Sequence, residues 1–158
     1  MNHFAFSNTV SSSYQPAPIE TQESRHDILR SATQSEESLP FTVRLAHSEE
    51  DLSKAVYIRH SAYARHLPEF AQSLRTPEDQ DFEPGTVVLL AESKLDGSPL
   101  GTMRIQTNQH KPLCVEKSLE LPAWLKHQRL AEASRLGVTN DRGGRLVTTV
   151  LFKAFYLY

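Results

Sequence analysis

LAEASRLGV, running from Leu130 to Val138, alternates like a strand: Leu130, Glu132, Ser134, Leu136 and Val138 share one parity, and Ala131, Ala133 and Arg135 share the other. It gathers the polar side chains Glu132, Ser134 and Arg135. It then runs into a glycine-bearing turn, Thr139-Asn140-Asp141-Arg142-Gly143-Gly144-Arg145, whose DRGG core reads as the turn itself. Beyond it, RLVTTVLFKAFYLY predicts a helix beginning near Gly144, with Val147, Val150, Leu151, Ala154, Phe155 and Tyr158 on one wide apolar face that Phe152 and Tyr156 extend. Such a face expects cover from protein on more than one side.

Upstream, TVVLLAES (86–93) is an unbroken apolar and β-branched run, which predicts a central strand covered on both faces. LDGSPLG supplies turn chemistry through Asp96, Gly97 and Pro99, and TMRIQTN returns as the partner strand of a hairpin. FTVRLA alternates Phe41, Val43 and Leu45 against Thr42, Arg44 and Ala46, predicting another half-buried strand. A helix follows from the N-cap Ser48 to about His66, with acids at 49 to 51 suiting its positive end and Pro68 stopping it. The crossing LPEFAQSLRTPEDQDFEPG is loop-rich, with a short helix around Glu69 to Leu74. Two readings fit Leu113 to Lys126: a short helix before Pro122, or irregular chain that packs Leu121, Trp124 and Leu125 over the sheet.

Met1 to about Pro40 is rich in Ser, Gln, Thr and Pro, with little apolar surface to offset the entropy of ordering it, so residues 1–40 read as a flexible leader in which RHDILR offers at most one helical turn. Residues 41–158 then form one structured domain, in the order β-α-loop-β-β-β-α. That order leaves strands without the elements that would close such a fold. We therefore expect a chain cut before its natural C-terminal half.

Composition excludes several functions. Lys and Arg number 17 against 19 Asp and Glu, a net charge of -2, so no general field draws nucleic acid. RGGR, as a single copy between strand and helix, is a weak sign of RNA binding. Cys114 is the only cysteine, which excludes an internal disulfide and a thiolate metal cluster and fits a cytoplasmic setting. The histidines are dispersed and make no metal pattern. No stretch approaches the roughly 18 to 20 apolar residues that a membrane span requires.

IRHSAYARH on the first helix, PEDQDFEPG in the crossing, the hairpin LLAESKLDGSPLGTMRI, and LAEASRLGV followed by a helix together resemble the GNAT-type acyltransferase superfamily. The similarity is closest to the branch that uses acyl carrier protein, the N-acyl amino acid synthases and the acyl-homoserine-lactone autoinducer synthases. It covers residues 41–158 and rests on the ordered set rather than on any one motif. The resemblance implies an α/β fold, a GNAT-like mixed sheet with flanking helices that ends here after the third or fourth strand-helix unit. It also implies that Arg59 and Tyr63 on the first helix, Asp81 in the crossing, Gly101 and Arg104 on a Gly-x-x-Arg strand, and Glu132, Ser134 and Arg135 on the last strand belong to the site.

Within that frame, transfer of an acyl group to an amine needs a neutral amine, a thioester carbonyl close to it, and stabilisation of the developing oxyanion. Glu132 reads as a general base with its pKa raised by an apolar strand, or as the partner of a basic side chain that fixes sheet geometry. Arg104 and Arg135 read as holders of an acceptor carboxylate, or as solvated edge arginines; alternation places Arg104 with Thr102 and Gln106, outside the main core. Arg59 and Tyr63, one helical turn apart, line the acceptor side with Asp81 or make an ordinary helix-sheet contact. Arg142, Gly143, Gly144 and Arg145 form the donor-binding candidate, because free N–H groups at a helix start attract phosphate; a simple glycine turn has the same letters. The turn departs from the R/Q-x-x-G-x-G/A pattern of coenzyme A users, which leaves room for a carrier-protein donor. Cys114 sits among Pro112, Leu113 and Val115 with no histidine in sequence to activate it, so direct transfer is expected, without metal or tightly bound cofactor.

The expected function is N-acyl transfer from an acyl-phosphopantetheine thioester, on acyl carrier protein or coenzyme A, to an amino acid or related amine. An autoinducer synthase with S-adenosylmethionine as acceptor is the near alternative. A non-catalytic acyltransferase-like binding module is the distant one.

Overall fold

The computed structural model describes residues 39–158. The leader, apart from Leu39 and Pro40, and the RHDILR patch lie outside the described residues.

Strands β1 (Phe41–Leu45), β2 (Thr86–Ser93), β3 (Pro99–Thr107) and β4 (Ala131–Val138) form one sheet in the order β1-β2-β3-β4, and all three pairings are antiparallel. Helix α1 (Glu49–Ala64) covers one face and helix α4 (Arg142–Leu157) the other. The crossing carries α2 (Pro68–Gln72) and a 3-10 turn (Asp79–Asp81), and α3 (Cys114–Ser118) precedes β4. The short-helix reading of Leu113 to Lys126 is the one realised; Trp124 stands 72% exposed and does not pack over the sheet.

The strand β2 is central, as its apolar run predicts. Leu89 and Ala91 join Phe41, Met103, Ile105, Val147 and Leu151 under α4, while Val88 and Leu90 meet Ala55 of α1. Helix α1 begins with a reciprocal cap, the Ser48 hydroxyl accepting from the Asp51 N–H and the Asp51 carboxylate accepting from the Ser48 N–H. Asp51 is also held by Arg44 at 2.6 Å, and Arg44 and Lys54 both hold Glu92, so helix and sheet edge are tied together by charge. The Arg44 bond, above all, keeps the Asp51 carboxyl far below the usual carboxylate range.

Two sequence expectations change. Helix α4 starts at Arg142, earlier than Gly144, because the Asp141 side chain accepts from the Gly144 N–H at 2.8 Å and so makes DRGG a cap and first turn rather than a loop. The single alternation read along β4 is also broken. Thr102 pairs with Gly137 but Arg104 pairs with Ser134, so β4 carries one extra residue, and Arg135 adopts a φ of 54°. This bulge reverses the phase of everything after it. Ala133, Leu136 and Val138 therefore all pack toward α4, while Ser134 and Gly137 face α1.

The glycine at 137 has a packing reason. A Cβ there would stand 3.0 Å from the Arg59 Cα, so α1 lies against the backbone of β4. Gly101 plays the same part on the other face, where a Cβ would stand 2.5 Å from Val147 Cγ1 of α4.

Candidate active site

Five charged side chains from four segments meet under the crossing. Helix α1 presents Arg59, β3 presents Arg104, β4 presents Arg135 from the bulge, and the 3-10 turn brings Asp81 with Glu78 just before it. Asp81 accepts from Arg59 Nη1 at 2.9 Å, Arg59 Nη2 at 3.0 Å, Arg104 Nη1 at 3.3 Å and the Glu78 N–H at 2.9 Å. Glu78 takes Arg135 through two parallel bonds of 2.7 Å each, together with Arg104 Nη1 at 3.1 Å and Arg59 Nη1 at 3.4 Å. Arg104 completes its set with Gln80 at 2.6 Å and the Ser134 hydroxyl at 3.2 Å.

Arg59 and Arg104 are buried, and so is the Asp81 carboxylate. Ions this far from water are tolerable only when paired and hydrogen-bonded, which is why the five side chains interlock. Burial works to raise the Asp81 carboxyl, but the Arg59 bonds and charge, the Glu78 N–H and the Arg104 charge outweigh it and hold it below its usual range. Glu78 is held low mainly by its Arg135 bonds, and Arg135 is held high by the same pair.

Arg104 thus departs from the expectation that it lies outside the core. Its alternation is as read, away from Met103 and Ile105, but the crossing closes over that face and buries it. All of its nitrogens are engaged within the protein, so it positions Asp81, Gln80 and Ser134.

The bulge is held on two sides through the Arg135 side chain. Besides Glu78, the Arg135 guanidinium stacks over the Phe70 ring at 5.2 Å, and Phe70 packs against Tyr63 at 5.7 Å between ring centres. A left-handed backbone costs a non-glycine residue roughly 1–2 kcal/mol, and these contacts supply the compensation. Next to the bulge a hollow of about 250 Å³ opens between α1 and β4, lined by Ala62, Tyr63, Arg65, His66, Leu67 and the residues from Leu136 to Val138.

That hollow shares Arg65 and Val138 with a second one of about 490 Å³ at the start of α4, whose walls include Asn140, Arg142, Gly144, Arg145 and Thr148. Three guanidiniums therefore line it, and Arg65 is oriented by donating to the Val138 carbonyl at 2.8 Å. Asp141 occupies the Gly144 N–H, so the arginines supply most of the attraction for an anion here. Gly143 lies beside the Asp141 carboxylate, and a Cβ on Gly144 would come within 2.2 Å of the Thr139 carbonyl oxygen. A larger hollow of about 620 Å³ lies at the other end of α1, near Ser48 and Phe82, and reaches the charged cluster only at Asp81.

Glu132 is not part of the cluster. It stands opposite Gln106 and accepts from the Val115 N–H at 3.3 Å, at the start of α3, on the far side of the bulge from both α4 hollow and Val138. Cys114 is exposed. The structure thus brings Arg59, Asp81, Arg104, Ser134 and Arg135 together, places Tyr63 beside them, and groups Arg142, Gly144 and Arg145 separately. Sequence reasoning missed Glu78, Gln80, Phe70 and Arg65. The signal for Glu78 was its place three residues before Asp81 in PEDQD, the spacing at which one turn sets two carboxylates on the same side.

No protein-family model matches the chain, and no curated protein matches it in sequence. Among solved structures it is similar to FeeM, an N-acyl amino acid synthase from uncultured soil microbes, with 16% identity and a TM-score of 0.58 over 77% of this chain and 66% of that one. The likeness shows a shared, GNAT-like fold, with a four-stranded antiparallel sheet and flanking helices. It spans 66% of the length of the N-acyl amino acid synthase whose fold it shares.

Proposed function

We propose that this chain takes part in N-acyl transfer from a phosphopantetheine thioester to the amine of an amino acid or related acceptor. One observation carries the reading: the hollow lined by Tyr63 and by Leu136, the residue next to Arg135 of the charged cluster, shares Arg65 and Val138 with the arginine-rich hollow at the start of α4. A thioester donor needs its phosphate held at a distance from its carbonyl, and the two linked hollows along β4 offer that separation. Likeness in fold to an N-acyl amino acid synthase supports an acyltransferase over a bare binding module.

In this reading Arg65, Arg142 and Arg145 hold the donor phosphate, with Gly143 and Gly144 keeping the turn open to it. Arg59, Asp81, Arg104 and Ser134 act as the rigid base on which Arg135 and Tyr63 receive the acceptor. The amine lone pair attacks the thioester carbonyl; an N–C bond forms, the C–S bond breaks, and the amine proton leaves to solvent water while the thiolate is reprotonated from solvent. Acyl carrier protein is the proposed donor, since the turn lacks the glycine pattern suited to coenzyme A, and the single cysteine goes with a cytoplasmic setting.

The test is incubation of the chain, and of any longer form that contains it, with long-chain acyl carrier protein or acyl-coenzyme A and a panel of amino acids plus S-adenosylmethionine. N-acyl amino acids detected by mass spectrometry are the expected products. A lactone product would shift the reading to autoinducer synthesis, and no product from any folded form would overturn it.

A further inference from the structure

The loop between α3 and β4 is clamped at its base and open at its tip. Asn108, just after β3, donates through Nδ2 to the Gln128 carbonyl at 3.0 Å and to Glu116 at 3.3 Å, and its Oδ1 accepts from the Leu130 N–H at 2.9 Å. Beyond that clamp the loop bonds to itself: the Leu125 N–H donates to the Pro122 carbonyl at 2.9 Å and the Gln128 N–H to the Leu125 carbonyl at 3.0 Å. No residue from Cys114 to Leu130 is fully buried. Leu119 stands 63% exposed and Trp124 72%, and Pro122 and Ala123 between them are exposed as well.

The charges around this tip have one sign in excess. Lys117, Lys126 and Arg129 are all exposed, and Glu120 is the one acid among residues 117–129, in a chain whose net charge is -2. Glu120 meets Lys126 at 3.2 Å, but the two side chains are 87% and 48% exposed, so water and salt screen the pair and leave the ammonium available to another anion. The tip thus offers apolar surface and positive charge together, where the rest of the chain is acidic on balance.

We propose that this loop docks on the surface of an anionic lipid bilayer, with Trp124 and Leu119 entering the headgroup layer and Lys117, Lys126 and Arg129 facing the lipid phosphates. An indole suits that layer because its body is apolar and its N–H is polar. Lysine and arginine suit it because their stems lie along apolar surface while their heads reach the charged groups. Each such cation near an anionic surface strengthens binding by roughly fivefold. A protein partner would need a cavity shaped to one indole and one leucine, whereas lipid reshapes around them. Among the described residues no helix is long and apolar enough to cross a membrane, so the contact is peripheral.

Docking at this point brings the start of the last strand to the bilayer. The loop leads directly into β4, and α3 before it is joined to that strand by the bond from the Val115 N–H to Glu132. The proposal does not depend on the acyl-transfer reading, since it needs only the loop and its charges; a module without activity would dock in the same way.

Trp124 is the only tryptophan in the chain, so its fluorescence reports on the loop without background. The experiment titrates the full chain, at low salt, with vesicles of phosphatidylcholine alone and of phosphatidylcholine mixed with phosphatidylglycerol. With the mixed vesicles the emission is expected to shift to the blue and to become protected from acrylamide, and binding to the neutral vesicles is expected to be weaker by roughly tenfold or more. Lys126→Glu and Arg129→Glu should each weaken binding by roughly fivefold or more. Trp124→Ser, followed by sedimentation with the vesicles, should lose binding while its melting temperature stays unchanged, because the side chain it removes is exposed. Equal binding to neutral vesicles, or undiminished sedimentation of Trp124→Ser, would overturn the proposal. No shift with either vesicle would overturn it in favour of a protein partner, and a blue shift without lipid that grows with the concentration of the chain would overturn it in favour of a second copy.

Discussion

Arg135 and Glu78, separated by 57 residues in the chain, grip one another through two parallel hydrogen bonds of 2.7 Å each. The pair joins the last strand to the crossing and fixes the bulge at the point where the strand changes phase. Because Arg135 has a φ of 54°, its backbone suits glycine while its side chain does not. Arg135→Gly and Arg135→Ala both remove the pair, yet the glycine variant is expected to be the more stable by roughly 1 kcal/mol, the reverse of the usual order within a strand. Denaturant midpoints of the two variants check this, and an alanine variant at least as stable as the glycine one would count against the left-handed bulge.

Asp81 bonds to both buried arginines, so Asp81→Asn leaves Arg59 and Arg104 without their shared countercharge. Breaking a buried pair from one side costs about 3–5 kcal/mol. Equilibrium urea unfolding should register a loss of that size, and a loss below about 1 kcal/mol would contradict the burial described here.

Acid should weaken the same cluster. The carboxyls of Glu78 and Asp81 both lie below their ordinary values of 4.5 and 3.8 in the folded chain. Their contribution is therefore fully present above those values and is lost as the pH falls past them toward the folded pKa of each group. Melting temperature followed from about pH 7 to about pH 3 should drop steeply over the lower part of the range, and less steeply in a folded Asp81→Asn variant.

Glu132 offers the converse case. Among the described residues its carboxylate makes one hydrogen bond, to the Val115 N–H at 3.3 Å, so Glu132→Gln should change thermal stability little. If the carboxylate receives the amine proton, turnover should fall roughly 100-fold or more with donor binding unchanged. A loss of stability equal to the loss of activity would assign Glu132 to holding α3 in place.

The hollow at the start of α4 predicts a different kinetic signature. Arg142→Ala and Arg145→Ala each remove a guanidinium from its wall, and each should raise KM for the thioester donor by roughly tenfold while leaving kcat nearly unchanged. A fall in kcat with constant KM would place the donor phosphate elsewhere.

Much of the architecture is legible in the residue pattern, because α1, the β2-β3 hairpin and α4 each have a periodicity and end signals that agree. The phase change in β4 is not. One extra residue leaves the letters of LAEASRLGV alternating smoothly, and only the partner strand reveals that Leu136 and Val138 have crossed to the face of Ala133. The cluster was half legible. Arg59, Asp81, Arg104 and Arg135 could be singled out as members of a resemblance, but Glu78 and Gln80 look like solvated loop residues until three arginines from three separate elements converge on them. The burial of Arg104 is hidden for the same reason, since it depends on where the crossing lies.

Gly137 has no side chain, and a Cβ at that position would press on the Arg59 Cα at 3.0 Å, the Ala62 Cβ at 3.2 Å and the Ile58 carbonyl oxygen at 3.3 Å. The depth at which α1 seats on the sheet is thus governed by a missing methyl group. A side chain there would press on α1 between Ile58 and Ala62, the stretch that carries Arg59 to Asp81. The geometry of the charged cluster is accordingly set as much by a position that makes no polar contact as by the arginines themselves.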